Sequence, residues 1–260
     1  MFLFLNPVSI IITGFHNQFD NIAILLMLIA FSFINEKKEW NRRDIGFLFF
    51  ASLSLMTKHI FFIMPVWIFF KKGLPLIKKA IYTIIPPIVF LFSFVPYIVN
   101  NESALQGILN NVFRYRSYNN APLLCWFYDR IGMSGKGYFI VFCFIMFIIG
   151  LVIYKENMER HFQVYLMSLL MFSSAITDQY LAIPMYAVCT INNRLGIIYI
   201  IITGYYLLNS EVQLNLNLPL HDFMLKNGYL FACLILCLLL LTEIIKKFYQ
   251  NTNITKKNDL

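Results

Sequence analysis

Apolar stretches of helical length fill most of this chain, and short basic or polar stretches separate them. Apolar residues make up 59% of the sequence and charged residues 13%, whereas soluble domains have about 45–50% and about 25%. We therefore predict an all-α fold, a polytopic transmembrane helical bundle of about nine segments that forms a single domain over residues 1–247. The segments lie at residues 19–34, 45–58, 59–70, 80–99, 138–154, 162–177, 180–192, 195–208 and 229–245.

Lysine and arginine are distributed unevenly between the two sides that this segment order defines. Of the 21 basic residues, 15 fall in loops on one side. Because Lys and Arg accumulate in cytoplasmic loops, we predict an integral membrane protein, in the plasma membrane if the source is bacterial, with a disordered cytoplasmic tail at 248–260 and an extracytoplasmic loop at 100–137. We attribute the net charge of +8 to these cytoplasmic loops, which lie next to membrane lipids, and we expect no nucleic-acid partner. The basic loops are 35–44, 71–79, 155–160, 194 and 246–257.

Residues 45–70 have basic loops on both flanks, so a single crossing would put one of those loops outside. We predict instead an outward-pointing hairpin that turns at Lys58-His59. Each arm would be roughly 20 Å long, against a hydrocarbon core of about 30 Å. A second hairpin is predicted at 162–192, with Asp178 in its polar middle. For this second segment, a single tilted helix is the alternative.

Polar side chains cluster at residues 14–21, where a membrane helix begins, and they include His16, Gln18 and Asp20. Such groups cost free energy in a membrane unless they find a partner or water, so the cluster is a candidate functional site. The simpler interpretation is a helix start capped by Asp20 or Asn17.

Two further polar features fall on the same predicted outer side. Lys58 and His59 suit binding of a phosphate, and the alternative is structural pairing with Asp20 or Asp178. Arg114 and Arg116 alternate with aromatic residues, which suits phosphates or sugars, or else an interfacial aromatic belt. The five cysteines show no metal-binding spacing, so we predict no metal site and no cofactor.

Two motifs of the first sixty residues resemble those of the GT-C glycosyltransferases. Asn6-Pro7 and His16-Asn17-Gln18-Phe19-Asp20-Asn21 resemble the Asn-Pro and His-Phe-Gln-Tyr-Asn signature of that superfamily, with Asp20 in place of the family's Asn. Leu55-Met56-Thr57-Lys58-His59-Ile60 resembles its Lys-His or Lys-Gln segment, and Phe113-Arg114-Tyr115-Arg116-Ser117 loosely resembles its Leu-Phe-Pro-Phe-x-Arg-Gly stretch. The chain looks most like the lipid-phosphate-glucose-dependent glucosyltransferases of the asparagine-linked glycosylation pathway and their bacterial relatives. The resemblance covers about residues 5–130.

The resemblance implies a membrane enzyme that transfers a hexose from a polyprenyl-phosphate donor to a lipid-linked or envelope glycan on the extracytoplasmic side. It suggests that Lys58, His59, Arg114 and Arg116 bind the donor phosphate, and that His16 and Gln18 bind the sugar or the phosphate. In this family one carboxylate, usually in the first outer loop, is the general base. That loop would precede Asn6, and its Asp-Tyr-Pro-Pro-type motif is absent here.

We therefore expect a C-terminal part of such an enzyme, truncated at its N-terminus or completed by a partner chain from a split gene. Within the chain, Asp20 and Asp178 are weak candidates for the base. The main alternative is a non-enzymatic flippase or transporter of lipid-linked sugars, which would contain paired repeats and broken helices. An envelope-polysaccharide polymerase would share the composition but not the motifs around His16 and Lys58.

Overall fold

The computed structural model describes residues 6–16, 19–99, 101–113, 130, 135–173, 177–191, 193–210 and 220–258. Within these ranges all regular structure is helical, which confirms the all-α prediction for this part of the chain. The helices are α1 (Pro7–His16), α2 (Asp20–Ser32), α3 (Arg42–Thr57), α4 (Met64–Phe70), α5 (Leu76–Phe92), α6 (Val95–Val99), α7 (Glu102–Ile108), α8 (Gly135–Val152), α9 (Met158–Phe172), α10 (Met185–Thr190), α11 (Arg194–Ser210) and α12 (His221–Asn258). Short 3-10 turns lie at His59–Phe61 and Asp178–Ala182, and a π-helical turn lies at Leu109–Phe113.

Two helical stretches of the described chain are long and apolar enough to cross a membrane. They are Leu76–Val99, which joins α5 and α6, and His221–Glu243, the first part of α12. The pair formed by α3 and the segment His59–Phe70 would be a third if the two arms count as one bent span. These helices support a membrane protein, whereas the bundle of about nine segments stays a prediction.

Helix α12 continues well beyond its membrane-length part and ends at Asn258. The sequence analysis predicts a disordered tail from residue 248, and the structure differs from that prediction by extending the helix through it. No Gly or Pro occurs between Glu243 and Asn258, so this stretch lacks the two residues that interrupt a helix most strongly.

The first predicted hairpin reverses direction where the sequence places its turn. The axes of α3 and of segment His59–Phe70 differ by 119° across the break at Lys58. Ion pairs join the two flanks of the hairpin, from Lys71 to Glu36 at 3.0 Å and from Lys78 to Asp44 at 2.6 Å. Because both flanks meet in these contacts, the segment between them returns to the level from which it started.

The pair formed by Asp44 and Lys78 is the centre of a buried polar cluster at the base of this hairpin. The two side chains are 0% and 1% exposed. Asp44 also accepts hydrogen bonds from the Tyr82 hydroxyl, the Asn35 amide and the backbone N–H of Asn41. A buried ion pair is stable only when further hydrogen bonds satisfy both partners, and this carboxylate is well satisfied. Lys78, which the sequence analysis counts among the loop charges, is therefore part of the packed interior.

The second predicted hairpin also doubles back. Helix α9 ends at Phe172, and a 3-10 turn and α10 follow it as separate elements. At the other end, the Gln163 amide near the start of α9 donates to the Thr190 hydroxyl at the end of α10, at 3.0 Å. The start and the end of the segment are therefore adjacent. A single tilted helix over residues 162–192, the alternative considered from sequence, is not what forms.

The order of elements around the two hairpins is the same. Helices α2, α3, a 3-10 turn, α4 and α5 are followed later in the chain by α8, α9, a 3-10 turn, α10 and α11. Thr57-Lys58-His59 lies at the first break and Thr177-Asp178-Gln179 at the second. Pro65 is the second residue of α4, and Pro184 is the N-cap of α10. Proline is compatible with a first helical turn because its missing N–H is not needed there. The described chain therefore contains this order of five helical elements twice, and we refer to the two series as its internal repeat.

We predict that Lys78→Met lowers the free energy of unfolding by about 3–5 kcal/mol, because it leaves the buried Asp44 carboxylate without its counter-ion. Thermal unfolding of the detergent-purified protein measures the loss. Lys72→Met, at an exposed position of the same loop, should change the unfolding midpoint little. A K78M variant as stable as K72M would contradict a structural role for this pair.

Candidate functional site

The break after α3 places a lysine beside a buried carboxylate. Lys58 has an extended backbone, with φ −156° and ψ 127°, which ends α3 at Thr57. The Lys58 ammonium lies 3.2 Å from a carboxylate oxygen of Asp20, and the two side chains are 19% and 2% exposed. The same ammonium lies 5.1 Å from the centre of the Tyr180 ring. Three distant parts of the sequence therefore meet at one cation.

Asp20 is not the helix cap that one interpretation of the sequence favours. It is the first residue of α2, Phe19 occupies the cap position, and no side chain caps the helix. Neither Asp20 oxygen makes a well-formed hydrogen bond within the described part of the chain. A carboxylate can accept about four hydrogen bonds, so Asp20 relies on the Lys58 ammonium for its stabilisation. Of the two pairings considered for Lys58 from sequence, the structure contains the one with Asp20.

Hydrogen bonds between helices hold the Asp20 end of α2 in place. The Asn21 amide donates to the Thr13 hydroxyl of α1 at 2.7 Å, and the Ser54 hydroxyl of α3 donates to the Ala23 carbonyl of α2 at 2.7 Å. His16 is the last residue of α1, close to Asp20 along the chain. The described residues of the first motif thus lie at the end of α1 and at the start of α2, and the start of α2 contacts the end of α3.

Lys58 and His59 diverge although they are neighbours in sequence. The His59 ring stacks towards Phe90 of α5, with ring centres 6.5 Å apart, whereas Lys58 contacts Asp20 of α2. The two side chains therefore do not form a single cationic group.

A tyrosine hydroxyl fixes each of the two 3-10 turns. Tyr165 of α9 donates to the Ile60 carbonyl at 2.8 Å, and Tyr199 of α11 donates to the Leu181 carbonyl at 2.7 Å. Both rings are fully buried. These bonds satisfy carbonyls that the broken helices leave free. The sequence analysis missed both tyrosines, because a tyrosine in an apolar helix has no signal that separates such a contact from an interfacial position.

Asp178 occupies the second break, and it contacts a different partner from Asp20. The Tyr206 hydroxyl lies 3.1 Å from each of its two carboxylate oxygens. Tyr180, two residues further on, is the residue of this turn that contacts Lys58. The two breaks therefore lie next to each other, with Asp178 facing α11.

The other residues predicted for the site are not placed. Gln18, Arg114 and Arg116 lie outside the described residues, as does Asn17. Of the predicted loop 100–137, the described residues 101–113 are helical, with α7 followed by the π-helical turn. No group of three or more His, Cys, Asp and Glu side chains in the described chain is arranged to hold a metal ion.

Comparison with known proteins gives no family for this chain. No protein-family model, no curated protein and no solved structure matches it. The chemistry of the site therefore has to be argued from its own residues. A partly exposed ammonium at a helix break, beside a buried anion and an aromatic face, is suited to binding a second anion.

We predict that Lys58→Met destabilises the protein by about 3–5 kcal/mol, because the buried Asp20 carboxyl loses its ion-pair partner and must either stay charged without one or take up a proton. The double variant D20N/K58M should recover most of that loss, because it removes both charges. Thermal unfolding in detergent checks both, with Lys155→Met at an exposed position as the control. If the double variant is no more stable than K58M, the ion pair does not stabilise the fold in this way.

Proposed function

We propose that this chain is a GT-C-like membrane glycosyltransferase, or a large C-terminal part of one. It transfers a hexose from a polyprenyl-phosphate donor to a lipid-linked or envelope glycan on the extracytoplasmic side. The observation that carries this proposal is the contact between Asp20 and Lys58. These residues come from the two sequence motifs that resemble the family, and their contact supports a common site for both motifs.

In this proposal, Lys58 stabilises the phosphate that leaves the sugar. Transfer of the hexose leaves the negative charge of the departing group on the lipid phosphate, and a cation already in position lowers the cost of that charge. Asp20 keeps Lys58 charged in apolar surroundings until the donor binds. His16 and Gln18 would contact the sugar or the phosphate, and Arg114 and Arg116 would add further contacts to the phosphate.

Asp20 is a poor choice for the general base in this scheme, because it is already paired with the cation that the phosphate needs. Inverting transfer requires a base that removes the proton of the acceptor hydroxyl. The resemblance assigns that role to a carboxylate in a loop that would precede Asn6. We therefore propose that a carboxylate other than Asp20 is the base.

A flippase or transporter of lipid-linked sugars is the second candidate, and the internal repeat favours it. Many transporters consist of two repeats whose broken helices meet at the substrate site, and two broken helices meet here through Lys58 and Tyr180. A carrier would move the lipid-linked sugar without breaking the bond between the sugar and the phosphate. The two functions therefore differ in their products.

We predict that Lys58→Ala and His16→Ala each reduce hexose transfer roughly a hundredfold, as expected when a group that stabilises developing charge is lost. The assay follows labelled hexose from a polyprenyl-phosphate donor into glycan, in membranes from cells that express the complete gene. Lys155→Ala serves as the control at an exposed site. Full transfer by both variants would refute the site assignment, and movement of intact donor without a new glycosidic bond would favour the carrier.

The predicted orientation has its own test. A fluorescent protein that folds only in the cytoplasm, fused after Leu260, should be bright, and a phosphatase that folds only outside should be inactive at the same position, since the basic loops are predicted to face the cytoplasm. An active phosphatase and a dark fluorescent protein would reverse the orientation, and the turn at Lys58 would then point towards the cytoplasm.

A further inference from the structure

The second helix break carries polar groups to which the proposed function assigns no role. Asp178 is the first residue of the second 3-10 turn, directly after its N-cap, whereas Lys58 is itself the N-cap of the first turn. Tyr206 of α11 holds its carboxylate, with 3.1 Å to each oxygen. One break therefore carries a cation and the other an anion. The contact between the Lys58 ammonium and the Tyr180 ring shows that the two breaks are adjacent.

Three side chains around Asp178 have buried oxygen atoms without a hydrogen bond in the described part of the chain. They are the hydroxyls of Thr177 and Tyr229 and the amide oxygen of Asn209. Asn209 and Tyr229 are themselves more than nine-tenths buried. The amide nitrogen of Asn209 donates a hydrogen bond to the Tyr205 carbonyl, so the amide oxygen is the atom that lacks a partner. The Cys233 thiol lies beside Tyr229, and its sulfur is only a weak hydrogen-bond partner for the Tyr229 hydroxyl.

These groups converge on one face between α11 and α12. The rings of Tyr206 and Tyr229 are 6.5 Å apart. Asn209 follows Tyr206 by three positions, which puts both on the same side of α11. Gly228 allows α12 to approach closely, since a Cβ atom there would lie 2.6 Å from the Tyr206 ring. Thr177 is the N-cap of the second turn and precedes Asp178 directly in the chain.

The chemistry of this set selects a neutral polyhydroxylated ligand. Buried polar groups in native proteins almost always have partners, and several open oxygens together indicate that something polar binds between them. A sugar hydroxyl both donates and accepts, so it can bond to a carboxylate, an amide oxygen and a tyrosine hydroxyl alike. A phosphate would be repelled by Asp178, and an apolar group would leave every one of these oxygens unsatisfied.

We propose that the second break, formed by Asp178, Tyr206, Asn209 and Tyr229, binds a hexose ring. This inference deepens the proposed function and rests on it for the source of the sugar, which is either the donor or the acceptor. The first break then binds the charged end of the donor through Lys58, and the second break binds uncharged sugar hydroxyls. The two halves of the internal repeat have in this way taken complementary roles.

The test uses the full chain purified in a detergent without a sugar head group. Titration calorimetry measures binding of two kinds of probe, citronellyl phosphate, which lacks sugar, and the octyl glycosides of glucose, galactose and mannose, which lack phosphate. We expect Tyr206→Phe and Asp178→Asn to weaken binding of the preferred octyl hexoside roughly tenfold and to leave citronellyl phosphate binding unchanged. Lys58→Ala should do the opposite.

Matched controls separate a local effect from unfolding. Tyr154→Phe and Asp222→Asn make the same chemical changes at exposed positions and should leave both affinities unchanged. Unchanged octyl hexoside binding in Y206F and D178N, or no hexoside binding by the native chain, would overturn the hexose site and indicate that ordered water fills it. Citronellyl phosphate binding that survives Lys58→Ala would instead count against the proposed phosphate site.

A third probe identifies the source of the sugar. Citronellyl-phosphate-hexose carries both groups, and its affinity should fall in Y206F as well as in K58A if the ring at the second break belongs to the donor. If its affinity falls only in K58A while octyl hexoside binding falls in Y206F, the ring belongs to the acceptor. Both results support a hexose site, and they differ only in which substrate fills it.

Discussion

The buried ion pair between Lys78 and Asp44 sets the geometry on which the rest of the molecule depends. It joins the start of α3 to the start of α5, so the hairpin between them has to reverse within its length. Neither arm is long enough to reach both faces of a bilayer. The turn at Lys58 therefore lies part of the way along the bundle, where helices α2 and α9 surround it. A charged residue in that position has to find a partner, and Asp20 provides it.

The two buried ion pairs differ in how completely their carboxylates are satisfied. Asp44 accepts hydrogen bonds from a tyrosine, an asparagine and a backbone N–H besides its lysine. Asp20 has the Lys58 ammonium alone, and that lysine is 19% exposed, compared with 1% for Lys78. The Lys78 ammonium is closed off from any ligand, whereas the exposed part of the Lys58 side chain can be reached by an anionic group. This contrast is why we assign a structural role to the first pair and a binding role to the second.

Part of this architecture follows from the sequence by physical argument. Basic flanks on both sides of 45–70 require a return, and the turn falls at Lys58, the one lysine or arginine within that apolar stretch. Local sequence does not reveal partners. Nothing near Lys78 indicates that it is buried against Asp44, and nothing near Asp20 chooses it over Asp178 as the partner of Lys58. These choices depend on how the helices pack, which hydropathy and charge patterns leave open.

The repeat explains why the chain needs two unlike breaks. A helix break in an apolar bundle exposes free backbone groups, and in each half a tyrosine from a neighbouring helix, Tyr165 or Tyr199, satisfies one of them. Once the backbone is satisfied, the side chains at the break are free to differ. Two lysines would repel each other across the contact at Tyr180, and two aspartates would leave no cation for an anionic ligand. One cation and one carboxylate avoid both costs, and they match a substrate that carries a phosphate at one end and hydroxyl groups at the other.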